Sequence, residues 1–303
     1  MAPATPLTLH PDRLLPPDPG VRAIARRLHE SVAGLPVVSP HGHVPARWLA
    51  DNAPFADPTS LLITPDHYVT RLLHAGGTEL SALGVGEGPL TEEQSRAAFR
   101  TVCERWDTFR GTPVRYWFET QLVDLFGVTE RPDAQTADRI YDAVAEALAT
   151  EAFLPRALYA RFDLEVLATT DDPCDDLAAH EQLRTDPTWS GRVVPTFRPD
   201  RYLEAALPGW NADVDRLGEV SGVDTGGYAG FVGALEARRA YFVAHGAVST
   251  DHSHVDARTD QLEPHEAERI YAAARRREAS AEEATALRRH LVSEMVRMSC
   301  EDG

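Results

Sequence analysis

Lysine is absent from the chain, and all 30 basic residues are arginine. With Ala, Pro, Asp and Glu abundant, the absence reads as the bias of a GC-rich genome and carries no mechanism. Cysteine is also scarce: Cys103, Cys174 and Cys300 are an odd, widely spaced set without a CxxC pair, which argues against a disulfide framework and for a reducing compartment. No run approaches the roughly 18 apolar residues of a membrane span. The N-terminus lacks a basic stretch ahead of an apolar core, so no signal peptide is expected and the cytoplasm is the expected location. Positive charge is in deficit, with 30 basic against 47 acidic residues and a net charge of −17. Nucleic acid and anionic membrane would both be repelled by such a surface. An anionic small molecule would need its cations gathered locally, which gives individual arginines weight.

What is present is enough apolar residue, 43% of 303, for one large barrel or two ordinary domains. A proline-rich arm over residues 1–20 precedes a helical pattern over Val21 to Val32, with Ile24, Leu28 and Val32 aligned. Leu35 to Val38 is a short apolar run suited to a buried parallel strand, and it leads into Ser39, Pro40 and an HGH segment. From residue 65 to about 151 the pattern is helical, with segments expected over His67 to Ala75, Thr91 to Thr108, Val114 to Phe126 and Thr136 to Thr150. Strand-like runs return at Asp163 to Thr170, Arg192 to Phe197 and Ala247 to Thr250, each with polar residues just past its C-terminal end. Barrel enzymes hold their chemistry at that end. Two helices, Pro264 to Glu278 and Ala281 to Met298, follow them.

Candidate site residues come from those strand ends. His41 and His43 lie two apart, so on an extended backbone they share a side and can share one divalent ion, zinc being well suited to imidazole pairs. Asp171 and Asp172 are adjacent, so one faces the interior and the other caps the next helix, with Asp172 slightly preferred as a proton-handling group. Arg198 precedes Pro199, which favours an extended backbone and a guanidinium aimed at the mouth, fit to clamp a carboxylate; an ion pair to Asp200 is the competing use.

Taken with PDHY at Pro65 to Tyr68, TTDDP at Thr169 to Pro173, FRPD at Phe197 to Asp200 and STDHSH at Ser249 to His254, the HGH segment resembles the uronate (glucuronate) isomerase family of the amidohydrolase superfamily. The likeness runs from about residue 7 to Gly303. It implies a single amidohydrolase-like domain over 1–303: a distorted, incomplete (β/α)8 TIM-type barrel with a helical insertion over about 65–151. It also implies interconversion of D-glucuronate with D-fructuronate, and of D-galacturonate with D-tagaturonate, by aldose–ketose proton transfer. By the same resemblance His41 and His43 hold a divalent metal, zinc for preference though not necessarily essential; His67 and Tyr68 reach the sugar; and Asp172, His252 and Tyr68 serve catalysis beside Arg198.

Two features depart from that family. WFETQL at Trp117 to Leu122 stands where a segment closer to HLEL is expected, which weakens any role for Glu119. The last barrel strands, and an aspartate and an arginine on them, are expected to be missing. Two histidines leave a zinc site short of its usual three protein ligands, with Asp171, Asp251 or another chain as sources of a third. An open sheet edge would favour a homo-oligomer. Metal-dependent hydrolysis, or an inactive truncated fragment, are the competing readings.

Overall fold

The computed structural model describes residues 6–253, 255–256 and 258–301. The chain divides into two compact units, Met1–Pro36 with Asn52–Phe162, and Val37–Asp51 with Asp163–Gly303.

The first unit is built from helices, among them Pro19–Val32, Pro58–Leu62, His67–Ala75, Glu92–Glu104, Pro113–Thr120, Ala137–Leu148 and Pro155–Arg161. Local chemistry starts several of them. Thr91 and Gln94 form a reciprocal capping box that encloses Glu92 and Glu93, which satisfies end amides and places acid at the positive helix terminus. Asp57 caps Pro58–Leu62 by accepting from the Thr59 and Ser60 amides. Phe99 and Val102 on one helix and Ile140, Tyr141 and Val144 on another are buried in one core. Each such side chain contributes about 1.5–3 kcal/mol on leaving water. The helix expected over Val114 to Phe126 is interrupted, an α-helix to Thr120 giving way to a π-helical turn over Gln121–Leu125. The helix Pro19–Val32 forms, yet it buries no residue: Val21, Ile24, Leu28 and Val32 are all exposed.

The second unit holds a parallel sheet of β1 (Val37–Ser39), β2 (Leu164–Ala168) and β3 (Arg192–Val194), ordered β1-β2-β3. Parallel neighbours need a crossover, and the helix Ala178–Thr185 lies in the one from β2 to β3. Beyond the strands the ladder continues, among the described residues, as single parallel bridges, Asp171 to Phe197 and Phe197 to Thr250. Among the described residues, residues 247–250, expected as a strand, are joined by that bridge alone, with the Phe197 amide donating to Ser249 and the Asp251 amide to Phe197. β1 is not the buried strand expected. Among the described residues it pairs on one side only, and Val37 and Val38 are 47% and 56% exposed. Around the sheet a helical core gathers Trp210, Phe231 and Tyr271, with the last two rings stacked at 5.2 Å. Among the described residues no helix is long and apolar enough to cross a membrane.

Candidate active site at the strand ends

The mouth of the second unit begins with the turn after β1. Gly42 sits against β2, where a Cβ would meet the Ala168 carbonyl oxygen at 3.2 Å. Thr170 donates to the Gly42 carbonyl at 2.8 Å. That clamp holds the HGH turn to the end of β2, and the His41 and His43 Nε2 atoms converge to 3.1 Å. Two imidazoles sharing a tetrahedral ion at zinc–nitrogen bond length would place those atoms about 3.3 Å apart. The donor pair therefore fits a divalent metal. Among the described residues, no group of three His, Cys, Asp or Glu side chains gathers to complete such a site.

Asp251 ties this pair to the next residues. Its Oδ2 lies 3.5 Å from His41 Nδ1, on the side of the ring away from His43, and 3.2 Å from an Arg198 terminal nitrogen. Arg198 Nε also donates to Asp200 at 2.7 Å, the ion pair weighed against a substrate role. Asp200 in turn accepts from the Ser253 amide at 2.8 Å. The parallel bridges bring these residues together, because the Asp251 amide donates to Phe197 while the Arg198 amide donates to Asp171. His252 follows as a half-buried side chain. His254 lies outside the described residues.

The two aspartates after β2 diverge. Asp172 Oδ1 accepts from the Cys174 amide at 2.9 Å and the Tyr202 hydroxyl at 2.8 Å, and Arg201 stands 3.5 Å from its other oxygen. These bonds anchor the turn. Asp171 Oδ2 accepts from the Thr169 hydroxyl at 2.6 Å and the Thr196 amide at 3.1 Å. Because the Thr169 hydroxyl is spent on Asp171, His180 Nε2, 2.8 Å from the same oxygen, carries the proton there and donates. Burial pushes the Asp171 carboxyl above its usual range against the Thr169 bond, and pushes the His180 imidazole down against the nearby Asp171. Asp171 and His180 line a cleft of about 340 Å³ with His43, Arg47 and Thr170. His180 gives no signal in the sequence, and Thr169 stands out there only as part of TTDDP. A histidine inside a helix and a threonine just past the end of a strand carry no spacing signal, and only the fold places them together.

His67 and Tyr68 belong to the first unit. They open the helix His67–Ala75, which Asp66 caps by accepting from the Tyr68 amide at 2.8 Å. Their rings lie 4.1 Å apart. Glu119 is held by Arg115 at 2.8 Å.

Parallel strands with imidazoles, carboxylates and an arginine past their C-terminal ends define the class, an α/β protein with an enzyme-type mouth. The chain belongs to the glucuronate isomerase family, whose profile matches residues 21–303. It is 54% identical to a uronate isomerase of Cutibacterium acnes over 98% of this chain and 63% of that one. A uronate isomerase of Rhizorhabdus wittichii is 48% identical over 99% of this chain and 63% of its own. Among solved structures, a glucuronate isomerase from Caulobacter crescentus superposes with a TM-score of 0.92 at 39% identity, covering 99% of this chain and 62% of that one. A uronate isomerase from Thermotoga maritima gives 0.81 at 25% identity, covering 92% and 60%. The chain thus spans a little under two thirds of the length of these relatives. The isomerase family, not a hydrolase, is the one these likenesses support.

Proposed function

We propose that this chain carries uronate isomerase chemistry, interconverting D-glucuronate with D-fructuronate and D-galacturonate with D-tagaturonate. The family match over residues 21–303 carries the reading, and the convergence of His41, His43, Asp251 and Arg198 supports it. The chain would form part of a TIM-type barrel as one amidohydrolase-like domain with its helical insertion over about 65–151. It would work in the cytoplasm, as a homo-oligomer.

The reaction moves a proton from C2 to C1 of the open-chain sugar through an enediol, while a hydroxyl proton passes from O2 to O1. It needs a group to take and return the carbon-bound proton and a group to polarise the carbonyl. His41 and His43 would hold a divalent metal, zinc by preference, which when bound supplies Lewis-acid polarisation of the sugar carbonyl. Asp251, behind His41 Nδ1, would orient that ring. Arg198 would take the substrate carboxylate, exchanging its pairing with Asp200 or Asp251 for the incoming one. His67 and Tyr68 would contact the sugar, with Tyr68 and His252 sharing the hydroxyl protons. Asp172 would serve proton transfer from the turn it anchors; Asp171, which lines the cleft beside His43, competes with it for that role.

The test is incubation with D-glucuronate, with and without zinc or manganese, and detection of ketose. Ketose formation is expected. Its absence under every metal condition overturns the proposal for this chain.

A further inference from the structure

The WFETQL segment, which set this chain apart from its family in sequence, does not contribute its glutamate to a free surface, since Glu119 is paired with Arg115. It contributes its tryptophan. On the helix Pro113–Thr120, Val114 and Phe118 turn inward and are buried, whereas Trp117 is 43% exposed. An indole left in water forgoes the burial that makes tryptophan useful to a core. Tyr68, 40% exposed, meets Trp117 edge to face, with ring centroids 5.8 Å apart and planes at 77°. Arg71, on the same helix as Tyr68, lays its guanidinium 4.6 Å over the Tyr68 ring. Arg71 has no carboxylate partner among the described residues. Two exposed aromatic rings and an uncompensated cationic fork therefore share one patch of the first unit.

That combination has a chemical complement. The C–H face of a pyranose is apolar and packs on an indole, while its ring substituents remain polar; a carboxylate on the ring pairs with a guanidinium. A neutral sugar would leave Arg71 unused, and an apolar ligand would leave it unpaired. We propose that Trp117, with Tyr68 and Arg71, is a sugar-acid platform that binds the ring form of the uronate through its C–H face and its carboxylate. The platform rests on the uronate isomerase reading for the identity of its sugar, and its test does not need turnover.

The probe is D-glucuronate titrated into the full chain, read by intrinsic tryptophan emission, with D-glucose as the carboxylate-free comparison. A saturable change with D-glucuronate is expected, lost in Trp117→Phe, which keeps an apolar ring at the position and preserves the fold. Arg71→Ala should weaken D-glucuronate binding about tenfold and leave the weaker D-glucose response unchanged. In turnover, Trp117→Ala should raise KM about tenfold with kcat within about twofold, the signature of lost uniform binding. Isomerisation with no Trp117-dependent change in emission or KM overturns the platform and leaves the isomerase reading standing. Emission changes as expected without turnover would support the platform and remove the isomerase reading. An Arg71→Ala effect equal for both sugars would overturn the carboxylate assignment.

Discussion

The two units bury different kinds of polar group. Among the described residues, the buried polar side chains of the first are all hydroxyls: Thr59, Thr70, Thr78, Ser95 and Thr136. The second buries Arg238, Arg239, Arg288, His180 and His290 besides its threonines. A buried charge is costly unless it is bonded on several sides. Arg238 is so bonded, donating to the Pro173 carbonyl at 2.6 Å and the Asp175 carbonyl at 2.7 Å. Both carbonyls belong to the loop after β2, where Asp171 and Asp172 sit. Arg288 reaches Glu204 at 3.3 Å and Asp256 at 3.1 Å. The first unit is held by ordinary helix packing. The second uses buried cations to fix the irregular backbone that carries the candidate site.

The sharpest break in that comparison is the largest in energy. Phe99→Ala, in the helical core of the first unit, should cost about 3–5 kcal/mol in urea unfolding, with hydrogen exchange rising first in the helices of that unit. Arg238→Ala should cost roughly 3 kcal/mol, because two buried carbonyls lose a charged donor. Unlike Phe99→Ala, it should raise exchange in residues 173–177. An Arg238 variant that unfolds the protein no more than a surface change would show that the buried cation is ornamental. Thr169→Val should cost about 1–3 kcal/mol, since it removes the hydroxyl between Asp171 and His180 and leaves buried partners unsatisfied.

Within the second unit, acid should separate two buried groups by sign. His180 is held below 6.5 chiefly by burial, so the unfolded chain takes up its proton first as pH falls. Stability present above pH 6.5 is therefore lost from 6.5 down to the lowered folded value. Asp171 is raised, chiefly by burial, so its contribution runs the other way: it is present at low pH and lost as pH rises from 3.8 through the raised value. The difference in Tm between wild type and His180→Phe, followed from pH 7.5 downward, isolates the histidine and should shrink with acid. At the small end, Glu181→Ala removes an exposed pair with Arg184 and should leave the midpoint of the same urea measurement unchanged within error.

How much of this was legible depended on whether the signal was local. The helix His67–Ala75 is where its apolar spacing placed it, and Asp66 caps it. Local spacing also aligned Ile24, Leu28 and Val32, but alignment does not say what covers a stripe, and theirs is exposed. The strand at Leu164–Ala168 was legible from its β-branched and aliphatic run. Residues 247–250 have a similar composition but, among the described residues, meet the sheet through one bridge, because strand formation depends on a neighbour that composition does not report. At the mouth, the His41 and His43 pairing followed from a spacing of two. Asp251 could be weighed only as one ligand source among several, since its approach to both His41 and Arg198 depends on the register of the parallel bridges. The divergence of Asp171 and Asp172 depends in part on the Tyr202 hydroxyl, 30 residues away in the chain from Asp172.

The convergence of His41 and His43 is the claim on which the mouth depends. Zinc titration by calorimetry, paired with D-glucuronate turnover, on wild type, His41→Ala and His43→Ala addresses it directly. Loss of at least tenfold in both metal affinity and turnover in each variant is the predicted result. Metal binding and turnover unchanged in both variants would contradict it.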